Sequence, residues 1–203
     1  AEFESSRAQK DHSERTVSEA RFLYVGNFLY WKGMHIGLRA FALLVRERPT
    51  ACLTMVGNGP ERAKWRRLSE RLGIEDHVTW VPKVERTQLS AFYESHAALL
   101  YPSLHDSGGT VVLEALVHSL PVICLDLGGP AKLVTAECGF VIDTHNSSRD
   151  IVARRLFDAM MRVCQDSTLR SRLSANAANR AAKFSWTHQV NNVYEDIDGI
   201  HKE

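Results

Sequence analysis

Two carboxylates flank a glycine-containing turn in the segment YPSLHDSGGTVVLEA, residues 101–115. Asp106 precedes the turn, and Glu114 lies about one turn inside the helix that should start at Gly109 or Thr110. A helix start directs unpaired N–H groups and a positive dipole end toward an anion. Carboxylates on either side would each accept hydrogen bonds from neighbouring sugar hydroxyls. The spacing therefore fits a sugar–phosphate–sugar ligand, and it fits equally a helix cap at Asp106 with Glu114 facing solvent.

The connection after the first apolar run supplies a candidate cation. In VGNFLYWKGMHIGLRAF, residues 25–41, Gly26 ends the strand and Lys32 opens the following helix. A lysine at a helix start opposes the helix dipole, so a nearby anion would explain its position. We expect Lys32 to neutralise phosphate in the same crevice as Asp106. The glycine spacing matches neither GxxxxGK[ST] nor GxGxxG, which disfavours a Walker loop and a nicotinamide cofactor.

Short apolar runs alternate with helical segments along most of the chain. Such alternation favours an α/β fold, a Rossmann-like, doubly wound parallel sheet of about six strands with helices on both faces. In an open parallel sheet, ligands bind beyond the carboxyl ends of the strands, in the crevice where both Lys32 and Asp106 would lie. The apolar runs are residues 21–26, 51–57, 77–81, 97–102, 121–126 and 139–143.

The two ends of the chain differ from its middle. Residues 1–20 are polar and lack sustained periodicity, which predicts a disordered leader or linker before a folded domain over residues 21–203. Residues 147–183 predict two additional helices without a strand between them. A final predicted helix, residues 185–200, carries apolar side chains on one face that must pack on another surface.

Composition excludes several classes of function. Lys plus Arg is 25 and Asp plus Glu is 24, so the net charge of +1 gives no basis for nucleic-acid binding. No apolar run reaches the ~18 residues of a membrane span. The nine histidines show no metal-ligand spacing, so no metal is expected. Cys52 and Cys124 lie in apolar runs, where we expect buried, reduced thiols typical of a cytoplasmic protein.

Four stretches together resemble the C-terminal, donor-binding half of a retaining GT-B glycosyltransferase of the glycosyl transferases group 1 family. VGNFLYWKG resembles the family's vGR….KG, and LTMVGNGPER its l.ivGdGper. YPSLHDSGGTVVLEALVHSLPVI is similar to PS..EgfG…lEAma.G.Pvi, the most specific of the four, and DLGGPAKLV to..gGp.elv. The resemblance covers residues 21–202 and implies a nucleotide-sugar-binding domain, one half of a GT-B fold.

The resemblance implies a role for each position that matches a motif. Lys32 would bind the donor diphosphate, Asp106 would contact the transferred sugar, and Glu114 would bind the ribose, with Lys32 and Asp106 as catalytic candidates. The backbone of residues 109–112 would hold the sugar and the diphosphate, and residues 81–84 would read the base. The donor-binding candidates are Gly26, Asn27, Lys32, Val84, His105, Asp106, Gly108, Gly109, Thr110, Val111, Val112 and Glu114.

The sequence departs from the family pattern at several of these positions. Asn27 replaces the usual arginine and removes a charge-assisted bond worth about 1.5–3 kcal/mol. Asp106 is one methylene shorter than the family glutamate, and SGG replaces GFG at residues 107–109. Lys132 stands where the family often has glutamate. These changes affect the expected donor more than the expected fold.

The implied reaction is transfer of a hexose from an NDP-sugar, with UDP or GDP as nucleotide, to an acceptor hydroxyl with retention and without a metal or other cofactor. GT-B enzymes also have an N-terminal acceptor domain, which we expect to join this domain in cis or in trans. Peripheral membrane contact is conceivable through that missing half. By itself, this domain is expected to bind donor and hardly transfer sugar.

Three other interpretations remain beside this one. The chain could be half of an NDP-sugar epimerase, or a non-catalytic nucleotide-sugar-binding domain, for which Asn27 is the argument. A dehydrogenase domain is disfavoured by the absent glycine fingerprint. His105 either touches the sugar or orients its neighbour Asp106, while Cys138 and His118 are interpreted as structural.

Overall fold

A computed structural model describes residues 20–184, and most of the predicted leader and the predicted helix 185–200 lie outside the described residues. The strands are β1 (Arg21–Val25), β2 (Cys52–Val56), β3 (Val78–Val81), β4 (Ala98–Tyr101), β5 (Val122–Leu125) and β6 (Gly139–Ile142). They form one six-stranded sheet in the order β3-β2-β1-β4-β5-β6. Every neighbouring pair is parallel. The predicted doubly wound parallel sheet is therefore confirmed.

Burial explains why these strands are visible in the sequence. Every residue of β4 and β5 is buried, so each strand reads as a continuous apolar run, as expected where helices cover both faces of a sheet. Cys124 is buried in β5 as predicted, but the prediction for Cys52 is wrong, because its side chain is exposed. Cys52 is the first residue of β2, at the amino edge of the sheet, and its register partner Arg21, the first residue of β1, is exposed there too.

Seven helices accompany the sheet in the described residues. They are α1 (Met34–Glu47), α2 (Arg62–Arg71), α3 (Arg86–Ser95), α4 (Thr110–Val117), α5 (Gly128–Leu133), α6 (Arg149–Gln165) and α7 (Ser167–Ala182). The two helices predicted within residues 147–183 are α6 and α7, which begin at the side-chain caps Ser148 and Asp166. None of the helices in residues 20–184 has the length and apolar character needed to cross a bilayer.

The chain reverses its direction across the sheet between two central strands. β1 and β4 are neighbours, and from them the chain proceeds toward opposite edges of the sheet. Right-handed crossovers therefore place α1 and α4 on opposite faces. The connections 26–33 and 102–109 leave the carboxyl ends of the two strands, and they touch where the Leu104 amide donates to the Trp31 carbonyl oxygen at 2.7 Å. We call the space beside this contact the crevice, since the point of chain reversal is the usual ligand position in such sheets.

Helix α1 begins two residues later than predicted. Residues Tyr30–Lys32 form a 3₁₀ turn, and Gly33 follows with a φ of 69° in the left-handed region. A Cβ on Gly33 would lie 1.8 Å from the carbonyl oxygen of Pro102, so only glycine fits this contact between the two connections. Lys32 consequently lies just before the helix, at the crevice, rather than in its first turn.

Candidate functional site

The ammonium group of Lys32 and the carboxylate of Asp106 meet in the crevice. Lys32 Nζ lies 2.6 Å from Asp106 Oδ2 and donates to the Tyr101 hydroxyl oxygen at 2.8 Å. The Tyr101 hydroxyl donates to the same Oδ2 at 2.5 Å. Asp106 Oδ1 accepts from the amides of Gly108 at 3.2 Å and Gly109 at 3.0 Å. We call Lys32, Tyr101, Asp106 and these two amides the Asp106 clasp.

Opposing effects set the charge state of the clasp. Burial would raise the pKa of Asp106, but hydrogen bonds from Lys32, Tyr101 and the Gly109 amide outweigh it and hold that pKa well below its usual range. Burial and the hydrogen bond to Asp106 raise the pKa of Tyr101, so its hydroxyl keeps the proton that it donates. Asp106 is therefore an anion throughout the physiological range, which suits charge stabilisation rather than proton transfer.

The turn that contains Asp106 packs against the start of α5. The Gly129 amide donates to the Asp106 carbonyl oxygen at 2.7 Å. A Cβ on Gly128 would lie 2.4 Å from that oxygen, and one on Gly129 would lie 2.6 Å from the carbonyl oxygen of Ser107. The paired glycines of DLGGPAKLV therefore let the acidic turn pack directly against the backbone of the α5 start.

The start of α4 leaves backbone donors beside the clasp. The first helical hydrogen bond runs from the Leu113 amide to the Gly109 carbonyl at 3.0 Å. Asp106 accepts from the amides of residues 108 and 109 but not from those of 110–112, which have no acceptor among the described residues. Asp106 thus caps the preceding turn and not the helix. Val112 is buried, so its side chain is not available to a ligand.

Glu114 is held by two side chains of α3. Its Oε2 accepts from the Tyr93 hydroxyl at 3.0 Å, and its Oε1 lies 3.1 Å from Arg86 Nη2. Its side chain is 22% exposed, which excludes a freely solvated carboxylate. Burial and the charge of Glu114 raise the pKa of Tyr93, so the hydroxyl remains a donor. Glu114 also lines a cleft of about 240 Å³ between α3 and α4, together with Leu89 and Thr110.

Gly26 and Asn27 lie at the mouth of the crevice without contacting the clasp. The Gly26 amide donates to the Val56 carbonyl oxygen at 3.0 Å, which ties the end of β1 to β2. Asn27 is exposed, and its carbonyl oxygen accepts from the Tyr24 hydroxyl at 3.0 Å. No hydrogen bond among the described residues joins the Asn27 side chain to Lys32 or Asp106.

Val84 and His105 also lie apart from the clasp side chains. Val84 is half-buried in the connection before α3, two residues from Arg86. His105 is exposed, and its carbonyl oxygen accepts from Ser103 Oγ at 3.1 Å. In the described part of the chain, no three His, Cys, Asp or Glu side chains are grouped so that they could hold a metal ion.

Sequence reasoning missed three residues that hold the predicted acids. Tyr101 is the last residue of β4 and the only hydroxyl-bearing residue of that strand. A polar residue at the carboxyl end of an otherwise apolar strand is a signal that could have indicated it. Arg86 and Tyr93 are seven residues apart on α3, which places them on one helix face. The spacing predicts that Arg86 and Tyr93 share one face of α3. It does not predict that this face contacts Glu114, because the contact between α3 and α4 is tertiary.

These features define one half of a GT-B glycosyltransferase, a Rossmann-like sheet whose β1 and β4 connections face one crevice. The chain belongs to the glycosyl transferases group 1 family, whose sequence model matches residues 5–180. The family assignment confirms the resemblance read from the motifs and makes the chain a glycosyltransferase domain.

Relatives and solved structures agree with this assignment. A D-inositol 3-phosphate glycosyltransferase of Streptomyces avermitilis is 30% identical over 174 residues, covering 81% of this chain and 36% of the relative. The structure of sucrose-phosphate synthase from Thermosynechococcus elongatus has 26% identity and a TM-score of 0.72, covering 91% of this chain and 47% of that one. HepE of Anabaena, in complex with UDP and glucose, shares the fold at 19% identity with a TM-score of 0.74, covering 89% and 48% of the two chains.

The extent of these matches shows that the chain corresponds to part of its relatives. It spans about two fifths of the length of the curated relatives that it matches.

Proposed function

We propose that this domain binds an NDP-sugar and, together with an acceptor-binding domain, transfers its hexose to an acceptor hydroxyl with retention of configuration. The observation that carries the proposal is the contact between Lys32 and Asp106 directly before the open amides of residues 110–112, with Glu114 about one turn further along the same helix. UDP or GDP is the proposed nucleotide, and the UDP and glucose bound to HepE of Anabaena support the ligand class. No metal is included in the proposal.

Lys32 and the α4 start would stabilise the departing diphosphate. Negative charge grows on the diphosphate when the bond to the anomeric carbon breaks, and fixed donors aimed at that charge lower the barrier. Asp106 would act as an anion beside the sugar, because its low pKa removes it as a proton donor. Within the proposal, its carboxylate accepts hydrogen bonds from hydroxyls of the hexose.

Glu114 would bind the nucleoside end of the donor. It is the fifth residue of α4, about 6 Å along the helix axis from Thr110. This separation suits a ribose whose diphosphate lies at the helix start. Arg86 and Tyr93 hold the two carboxylate oxygens in place, so the acid would be pre-organised for a pair of ribose hydroxyls.

Calorimetric titration of UDP, GDP, ADP and their sugars tests the proposal directly. Lys32→Ala and Glu114→Ala should each weaken binding by at least about 1 kcal/mol, roughly fivefold in Kd, as expected for lost charge-assisted bonds. Lys64→Ala and Glu70→Ala, which remove exposed charges of α2, should leave affinity unchanged. The proposal fails if no nucleotide binds at millimolar concentration, or if the two site variants bind as tightly as the wild-type chain.

A further inference from the structure

The carboxylate of Asp106 occupies donors that an incoming diphosphate would use. Its four hydrogen bonds come from Lys32, Tyr101 and the amides of Gly108 and Gly109. Lys32 is the ammonium that the proposed function assigns to the diphosphate, and the two amides adjoin the start of α4. A phosphoryl group and a carboxylate are both oxygen anions, so they compete for the same N–H groups.

We propose that Asp106 is an intramolecular competitor of the donor diphosphate, which must turn the carboxylate out of the clasp before it binds fully. The proposal rests on the proposed function and adds a regulation of the same site. If the carboxylate stayed in place, it would repel the diphosphate at close range across a partly buried crevice. Displacement removes that repulsion and frees the acid to contact the hexose.

Side-chain length and backbone anchoring make this competition specific to aspartate. The Asp106 backbone is fixed by the Gly129 amide, so the carboxylate can leave only by side-chain rotation. An aspartate reaches the amides two and three residues ahead of it, a local bond pattern typical of this residue type. A glutamate has one more methylene and no such preference, so its carboxylate would leave the amides of Gly108 and Gly109 more readily.

The Tyr101 hydroxyl strengthens the competitor. It donates to Asp106 Oδ2 at 2.5 Å while it accepts from Lys32 at 2.8 Å, so it joins the cation to the anion. The ring is 2% exposed and stacks on Tyr24 with centroids 6.1 Å apart, which fixes the hydroxyl in position. Removing this oxygen should loosen the clasp without changing its net charge.

Titration of UDP and GDP into single variants tests whether Asp106 competes with the diphosphate or only supports the fold. Asp106→Asn should bind the preferred nucleotide about tenfold more tightly if the closed clasp is populated about nine-tenths of the time. Asp106→Glu and Tyr101→Phe should also bind more tightly, by smaller factors. Asp143→Asn is the control, because it removes an exposed carboxylate paired with Arg155 and should leave nucleotide affinity unchanged.

Thermal unfolding of the same samples supplies the second readout. Asp106→Asn and Tyr101→Phe should lower Tm while they increase affinity, whereas a residue that only supports the site would lower both. With a UDP- or GDP-hexose, the gain for Asp106→Asn should shrink because the sugar loses an anionic partner. Equal or weaker binding of UDP and GDP by Asp106→Asn and Tyr101→Phe overturns the competition and leaves the proposed function standing. Absence of binding in every variant and in the wild-type chain overturns both.

Discussion

The pH dependence of folding can be predicted from one buried histidine. His96 precedes β4 and is 4% exposed. Its Nδ1 lies 2.6 Å from the Phe92 carbonyl oxygen, and its Nε2 lies 2.9 Å from Thr54 Oγ1. Nδ1 thus donates to the carbonyl, and Nε2 accepts from the Thr54 hydroxyl. Burial lowers the pKa of His96 to about 4, with the Phe92 hydrogen bond opposing this shift and Arg21 adding to it.

The sign of the effect follows from the proton balance. Above pH 6.5, the unfolded-state value, His96 is neutral in both states. Between pH 6.5 and about 4, the unfolded chain binds a proton that the folded chain refuses, so the free energy of unfolding falls as pH falls. The slope approaches about 1.4 kcal/mol per pH unit, and the complete loss is about 3 kcal/mol. Below about pH 4, both states are protonated and this loss is complete.

Urea unfolding at several pH values between 7 and 4.5 measures this slope. His96→Asn keeps a donor for the Phe92 carbonyl but cannot titrate, so its slope should be shallower than that of the wild-type chain by about 1.4 kcal/mol per pH unit. Thr54→Ser keeps the hydroxyl and serves as the control with a wild-type slope.

The lowered pKa of His35 contributes to both curves and cancels in their difference. Asp106 loses its contribution only below its ordinary pKa of 3.8. Parallel curves for the wild-type chain and His96→Asn would refute the reasoning.

Two further predictions concern the loop contact at the site and the thiols. Gly33→Ala should destabilise the fold by more than about 2 kcal/mol in urea unfolding, because its Cβ would meet the Pro102 carbonyl oxygen at 1.8 Å. Gly73→Ala, at a φ of 67° with nothing within 4 Å, should cost only about 1 kcal/mol, and equal losses would contradict the contact. A thiol reagent should modify Cys52 rapidly in the native chain and the buried Cys124, Cys138 and Cys164 only after unfolding, so fast modification of all four would contradict the burial.

The sheet could be predicted from the sequence because most residues of its strands are buried. Strands covered on both faces by helices leave a continuous apolar signal, and all six appear within about two residues of their predicted bounds. The start of α1 was displaced because Gly33 adopts a left-handed conformation that ends the preceding turn. The sequence contains the glycine, but its close contact with Pro102 of the other connection is tertiary, and local pattern cannot reveal it.

The placement of Lys32 and Asp106 at one edge of the sheet was predictable from the topology, but their direct ion pair was not. Both follow strands of a parallel sheet, and the carboxyl ends of such strands share one edge. The supporting residues were not predictable, because Arg86 and Tyr93 reach Glu114 only through the packing of α3 beside α4. Chain separation conceals this arrangement, since Tyr93 and Glu114 are 21 residues apart.

The Asp106 clasp gives Lys32 an anionic partner within the chain. A cation near a helix start predicts a nearby anion, and in the structure that anion is Asp106 of the same chain. Without Asp106, the two turn amides would lose their side-chain acceptor and the partly buried ammonium would lose its anion, which costs stability. Satisfying them internally stabilises the domain, but it also opposes a ligand that needs the same donors, the usual conflict between folding and function at a binding site. Lys32 alone therefore cannot distinguish a ligand site from a structural ion pair. The open amides of residues 110–112 and the restrained Glu114 lie outside the clasp, and together with it they favour a bound donor.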